Sequence, residues 1–121
     1  MVSLLEEFAE EHPSAVIRRG GEIYVAAEDA LLVFAEARRR GLGVLGLEGF
    51  LIDDDYVYPA LSRIANFSRD GRTAAPGFVE WSTEQATALL NGPWRSPPLP
   101  EDQMNADAHG RHMIAIVLAH E

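Results

Sequence analysis

The chain has 121 residues, 47% of them hydrophobic and 24% charged, a balance that belongs to a single folded domain (residues 1–121) and argues against disorder. It carries 19 acidic residues against 10 arginines and no lysine, a net charge of -9 that repels phosphate backbones and sets nucleic acid aside as a ligand. The absence of cysteine excludes disulfides, thiolate nucleophiles and Cys-based metal sites, and the absence of lysine excludes Schiff-base chemistry.

The first residues, Met1 to Glu7, are acidic where a secretory leader is basic. No window approaches the ~20 apolar residues of a membrane span, so a cytoplasmic location without membrane contact is expected. Ser3 to Glu11 reads as a short helix, with Leu4, Leu5 and Phe8 on one face and Glu6, Glu7, Glu10 and Glu11 on the other. Ser3 and Glu6 have the spacing of a capping box, and Pro13 ends the segment. Ala15–Arg18 and Glu22–Val25, joined through Gly20-Gly21, predict a hairpin.

Glu28 to Arg40 predicts a helix with a stripe of Leu31, Phe34, Ala35 and Arg38, acids in its first turn and arginines in its last, ended by Gly41. Val44 to Ile52 is an apolar run of strand length, interrupted by Glu48, which is expected to be partly buried. Asp53-Asp54-Asp55 breaks it. Tyr56 to Tyr58 is β-prone but short, and Pro59 suits the first position of a helix over Ala60–Phe67 that would bury Leu61, Ile64 and Phe67.

Ser68 to Arg72 reads as a surface turn. Phe78 to Trp81 fits either a strand or a helix entry, and Ser82 with Gln85 predicts the cap of a helix through Asn91. The prolines of residues 92–100 require an extended path. Met113 to Ala119 is an unbroken apolar run, expected to be an interior strand. These elements predict an α+β fold, a single sheet of four or five strands with three or four helices packed on it.

The candidate chemistry is thin. His109 and His112 stand three apart, a chelating spacing on a helix, but Gly110 lies between them, a strand follows, and no third ligand is indicated. They read as solvated loop histidines. The aspartate run lacks the glycine and final glutamate of a calcium loop, with Tyr58 and Ile64 in those places. Glu48 is the one carboxylate placed to act as a base, although pairing with a structural arginine is about three times as expected. Gly41 and Gly43 follow a helix instead of opening one, so no phosphate loop is formed. No metal, cofactor or catalytic residue is expected.

Charge offers more. Residues 1–58 carry a net -7 and residues 59–121 a net -2. Acids interleaved with aromatics (Tyr56 and Tyr58 beside the aspartate turn, and Trp94 in the proline segment) suit an interface against a basic partner.

The stretch Gly46-Leu47-Glu48-Gly49-Phe50-Leu51, then Asp53-Asp54-Asp55, then Tyr58 to Ser68, resembles small bacterial immunity proteins of polymorphic toxin systems. The resemblance covers roughly residues 20–119 and is carried mainly by residues 44–68. It implies an α+β antidote that binds a cognate toxin and blocks its active surface, with no active site of its own. An acidic antidote suits a nuclease toxin, whose site must be basic to hold phosphates.

Under that reading Glu48, Asp53, Asp54, Asp55, Tyr56 and Tyr58 are the expected partner-binding residues, and the protein is a monomer or homodimer. Two other readings stand beside it. One is an accessory domain that dimerises by pairing the Met113–Ala119 strand. The other is a small enzyme centred on Glu48 with His109 or His112.

Overall fold

Residues 3–68, 73, 76–103 and 107–119 are described in the computed structural model. They form α1 (Leu4–Glu11), β1 (Val16–Arg19), β2 (Glu22–Ala26), α2 (Ala30–Arg39), β3 (Val44–Ile52), β4 (Val57–Asn66), α3 (Phe78–Asn91) and β5 (Arg111–Leu118). The strands make one antiparallel sheet in the order β1-β2-β5-β3-β4, and three helices pack on it, so the fold is α+β. Of the expected surface turn Ser68–Arg72, residues 69–72 lie outside the described residues.

The two outer hairpins form locally. Ser3 caps α1 by accepting the N–H of Glu6 at 3.1 Å. Gly20 and Gly21, at φ +57° and +81°, make the two-residue turn that pairs Arg19 with Glu22, a mirror-type geometry that favours glycine. The β3–β4 hairpin turns at Asp53. Only β5 joins the halves: it pairs with β2 through Tyr24–Ala115 and with β3 through Glu48–Ala115. The Met113–Ala119 run is therefore the interior strand that its unbroken hydrophobicity predicts. Both edges of β5 are occupied, which closes the dimer route through it.

The core lies on one face of the sheet. Leu4 and Phe8 of α1, Ala30, Val33, Phe34 and Ala37 of α2, and Phe78, Ala86 and Leu90 of α3 share a buried cluster with Val25, Leu47, Ile114 and Ile116. The α2 stripe is thus rotated from the expected one, for Ala35 and Arg38 are exposed. Trp94 is also buried in this cluster and is not available to a partner.

Two expectations fail for instructive reasons. Residues 60–67 are not a helix: Val57–Asn66 is an edge strand, where Pro59 is tolerated because one side of the backbone has no ladder partner. Between the pairs Phe50–Pro59 and Glu48–Ile64, β3 advances by two residues and β4 by five. This bulge breaks the alternation and leaves Leu61 and Ile64 51% and 59% exposed, while Phe67 is buried as expected. Gly49 makes the bulge possible, since a Cβ there would lie 2.8 Å from the Cβ of Arg63.

Ser82 is likewise not a cap. Helix α3 begins at Phe78, and Ser82 lies inside it, fully buried, accepting the N–H of Val44 at 3.0 Å. That bond anchors the first residue of β3 to the helix layer. Ser82→Ala should orphan a buried N–H and lower unfolding free energy by about 1–3 kcal/mol in urea titration, whereas Ser62→Ala on the exposed bulge should stay within about 0.5 kcal/mol.

Candidate functional site

One layer of helices leaves the other face of the sheet to solvent, and period-two alternation decides which side chains stand there. Tyr24, Ala115, Glu48 and Ile64 form one row across four strands, and Val117, Gly46 and Asn66 lie beside it. Beta1 leans over one end of this face. Ile17 packs against buried Ala26, Ile52 and Met113, and Arg19 donates to the carbonyl of Asp53.

The uncovered part is a shallow hollow of about 520 Å³. Its floor is made by the small residues Ala115 and Gly46, and Tyr24, Phe50, Ile64 and Val117 stand around it. Two carboxylates, Glu22 and Glu48, are the charged groups lining it. Glu48 is exposed, a correction to its expected partial burial, because Gly46, Glu48 and Phe50 alternate with inward Leu47 and Leu51. Among the described residues Glu48 has no arginine partner, so the structural pairing expected for it is not found. The Tyr24 ring meets Phe50 edge-on at 5.1 Å, and its hydroxyl is held above the usual phenol range by burial and then by the fields of Glu22 and Glu48.

The aspartate turn lies elsewhere, about 17 Å along β3 from Glu48 at the usual rise per residue. Asp53 is structural: its Oδ1 accepts the N–H groups of Asp55 and Tyr56 at 2.8 and 2.7 Å. These bonds, the Tyr56 one first, hold its carboxyl below the ordinary aspartate range. Its Oδ2 lies 3.1 Å from His109 Nε2, and the Tyr58 ring meets Tyr56 and His109 in tilted contacts at 5.8 and 6.1 Å. Asp54, Asp55 and the 62% exposed Tyr56 are left exposed at the tip.

The expected partner residues thus divide into a tip (Asp53, Asp54, Asp55, Tyr56, Tyr58) and a hollow containing Glu48. Glu22, Tyr24 and His109 were missed as their companions. Glu22 and Tyr24 were legible, since they are the polar alternates of Ile23 and Val25 on β2. His109 was not, because its approach to Asp53 depends on the arrangement of β5 beside β3.

His112 is not a solvated loop residue. It is buried on the helix-covered face of β5, opposite Leu51, while Glu48 is on the other face, so the two cannot share a substrate. His109 is about 20 Å from Glu48 by strand rise. Neither histidine pairs with the other, and the described residues hold no cluster of three metal-ligating side chains. Among the described residues no helix is long and apolar enough to cross a membrane.

His112 instead belongs to an internal clamp. Arg63, 5% exposed, donates to the carbonyls of Trp94 and Ser96 at 3.2 and 2.7 Å and lies 3.3 Å from His112 Nε2, so that it pins the proline segment over β4 and β5. Burial and then the Arg63 cation lower the His112 pKa from 6.5 to about 4, Glu28 opposing.

Between those values the unfolded chain binds a proton that the folded chain refuses. Stability contributed by neutral His112 is therefore full above pH 6.5 and is lost as pH falls toward about 4, by up to ~1.4 kcal/mol per pH unit. Urea midpoints at pH 7 and 5 should differ in the wild type and converge in His112→Gln, whose amide oxygen still accepts from Arg63. An equal pH slope in both would show that His112 does not carry it.

No family model, no curated protein and no solved structure matches this chain.

Proposed function

We propose that the protein is an immunity-type binding protein, which neutralises a cognate basic toxin by stoichiometric occlusion of its active surface. The observation that carries this reading is the β3–β4 tip. Two exposed carboxylates, Asp54 and Asp55, and the exposed ring of Tyr56 are presented on a turn that the Asp53 carboxylate and His109 lock in place. A rigid anionic tip with an aromatic anchor loses little entropy on docking, accelerates encounter with a cationic partner and supplies area for a contact that excludes water.

The charge distribution agrees. Much of the acidity of the helix layer is internally matched: Glu6 pairs with Arg18, Glu7 with Arg40, Glu36 with Arg39 and Arg40, and Glu84 with Arg38. Among the described residues Asp54, Asp55, Glu22 and Glu48 form no such ion pair, and neither do Glu10, Glu11 and Glu80 of the helices. The tip and the hollow therefore carry carboxylates that stand outside these ion pairs, with Arg19, held on the Asp53 carbonyl, as the cation beside them. A nuclease is the toxin class that best fits a field of this sign, because its phosphate-binding site is cationic.

The test co-expresses this chain with the product of the gene immediately upstream. The expected result is growth rescue together with a 1:1 complex by light scattering, and the absence of both would overturn the reading. Within such a complex, Asp54→Lys with Asp55→Lys should slow association at least ~10-fold at low salt, and Tyr56→Ala should mainly speed dissociation. Unchanged kinetics in both variants would remove the tip from the interface.

A further inference from the structure

Resting on that reading, we infer that the hollow on the uncovered sheet face seats an arginine side chain of the partner, between the Tyr24 ring and the Glu48 carboxylate. Tyr24 and Glu48 both pair with Ala115, so they face each other across one intervening strand, about 10 Å apart at the backbone. Ala115 contributes only a methyl to the floor between them. Such a slot has one aromatic wall and one anionic wall.

A guanidinium matches both walls. Its face stacks on a phenol ring, its edge donates two parallel hydrogen bonds to a carboxylate, and its weak hydration lowers the cost of leaving water. An ammonium satisfies the carboxylate but neither stacks flat nor sheds water as easily. Val117, 53% exposed, is placed to cover the aliphatic stem, and Glu22 adds a second negative charge at the mouth.

Cations of the chain do not fill this role among the described residues. Arg19, which also acts on the Tyr24 hydroxyl, donates to the Asp53 carbonyl. The charges lining the hollow are both negative, so its occupant is cationic, and the apolar walls require a side chain with a stem. That combination describes a basic protein segment and not a free metal ion or an anionic metabolite.

The probe is the blocked pentapeptide acetyl-Gly-Leu-Arg-Leu-Gly-amide, titrated at low salt into the 15N-labelled protein, with citrulline and lysine versions beside it. Saturable shifts of the Tyr24, Glu48 and Ala115 amides are expected, with affinity at least about tenfold weaker for citrulline and several-fold weaker for lysine. Glu48→Gln, on an exposed side chain that leaves the core intact, should lower arginine-peptide affinity about tenfold. Equal shifts with citrulline, shifts confined to Asp54 and Asp55, or indifference to Glu48→Gln would each overturn the assignment.

The same variants separate this inference from the function on which it rests. A toxin complex that survives Glu22→Gln with Glu48→Gln but is lost with the tip variants would overturn the arginine slot and leave occlusion standing. Failure of the wild type to form any complex would remove the occlusion reading itself.

Discussion

Everything in this fold depends on β5. The N-terminal hairpin and the β3–β4 hairpin each close locally, but they share no ladder with each other; both hydrogen-bond to the last strand. Strand β5 therefore needs apolar side chains on both faces, since Ile114 and Ile116 point into the helix-covered core while Met113 points to the opposite side. Its unbroken apolar run answers that requirement. Because β5 lies near the C-terminal end, the sheet's central pairings are non-local, and the entropy of closing those loops is lost before the pairings can form.

The second constraint is one of supply. Three helices amount to a single layer, and a single layer covers a single face. Among the described residues the other face is closed where β1 leans over Ile52 and Met113, and it stays open beyond. A sheet face that is apolar in part, lined by carboxylates and left open by the described residues is a costly surface unless something meets it. The open face is therefore tied to β5 in a direct way: the same strand that completes the core supplies Ala115 and Val117 to the hollow.

The sequence made some of this legible and hid the rest for physical reasons. Glycine pairs, the α1 cap, the α2 helix and the interior character of β5 follow from local chemistry, and all are present. Residues 60–67 were misread because Leu61, Ile64 and Phe67 repeat at helical spacing. The true cause of that spacing is a bulge on an edge strand, permitted by a glycine fourteen residues away from its partner Arg63 in sequence. Ser82 was misread because a serine three residues before a glutamine looks the same whether it caps a helix or anchors a strand from within one. Glu48 was misplaced by treating β3 as apolar on both faces, although its alternation of Leu47 and Leu51 with Gly46, Glu48 and Phe50 carried the correct answer. Contacts such as His109 with Asp53, or Arg63 with His112, join residues from different strands and have no local signature.

This architecture separates what stabilises the chain from what is offered to a partner. The main core and the Arg63 clamp are on the helix side or under the proline segment, and a smaller core of Ala26, Ile52 and Met113 lies under β1 on the other face. Asp54, Asp55 and Tyr56 at the tip and Glu22 and Glu48 at the hollow are exposed and belong to neither core, whereas Tyr24 and Phe50 of the hollow also pack on the smaller one. Asp53 also links the two, because its carboxylate rigidifies the turn on which Asp54 and Asp55 are exposed. Substitution at Asp54, Asp55, Tyr56, Glu22 or Glu48 can therefore retune charge and shape against a changing partner at little risk to folding, whereas substitution at Asp53 would soften the platform on which that tuning depends. A surface of that kind can change specificity quickly while the fold beneath it stays fixed, which is what stoichiometric recognition of a variable cationic target demands.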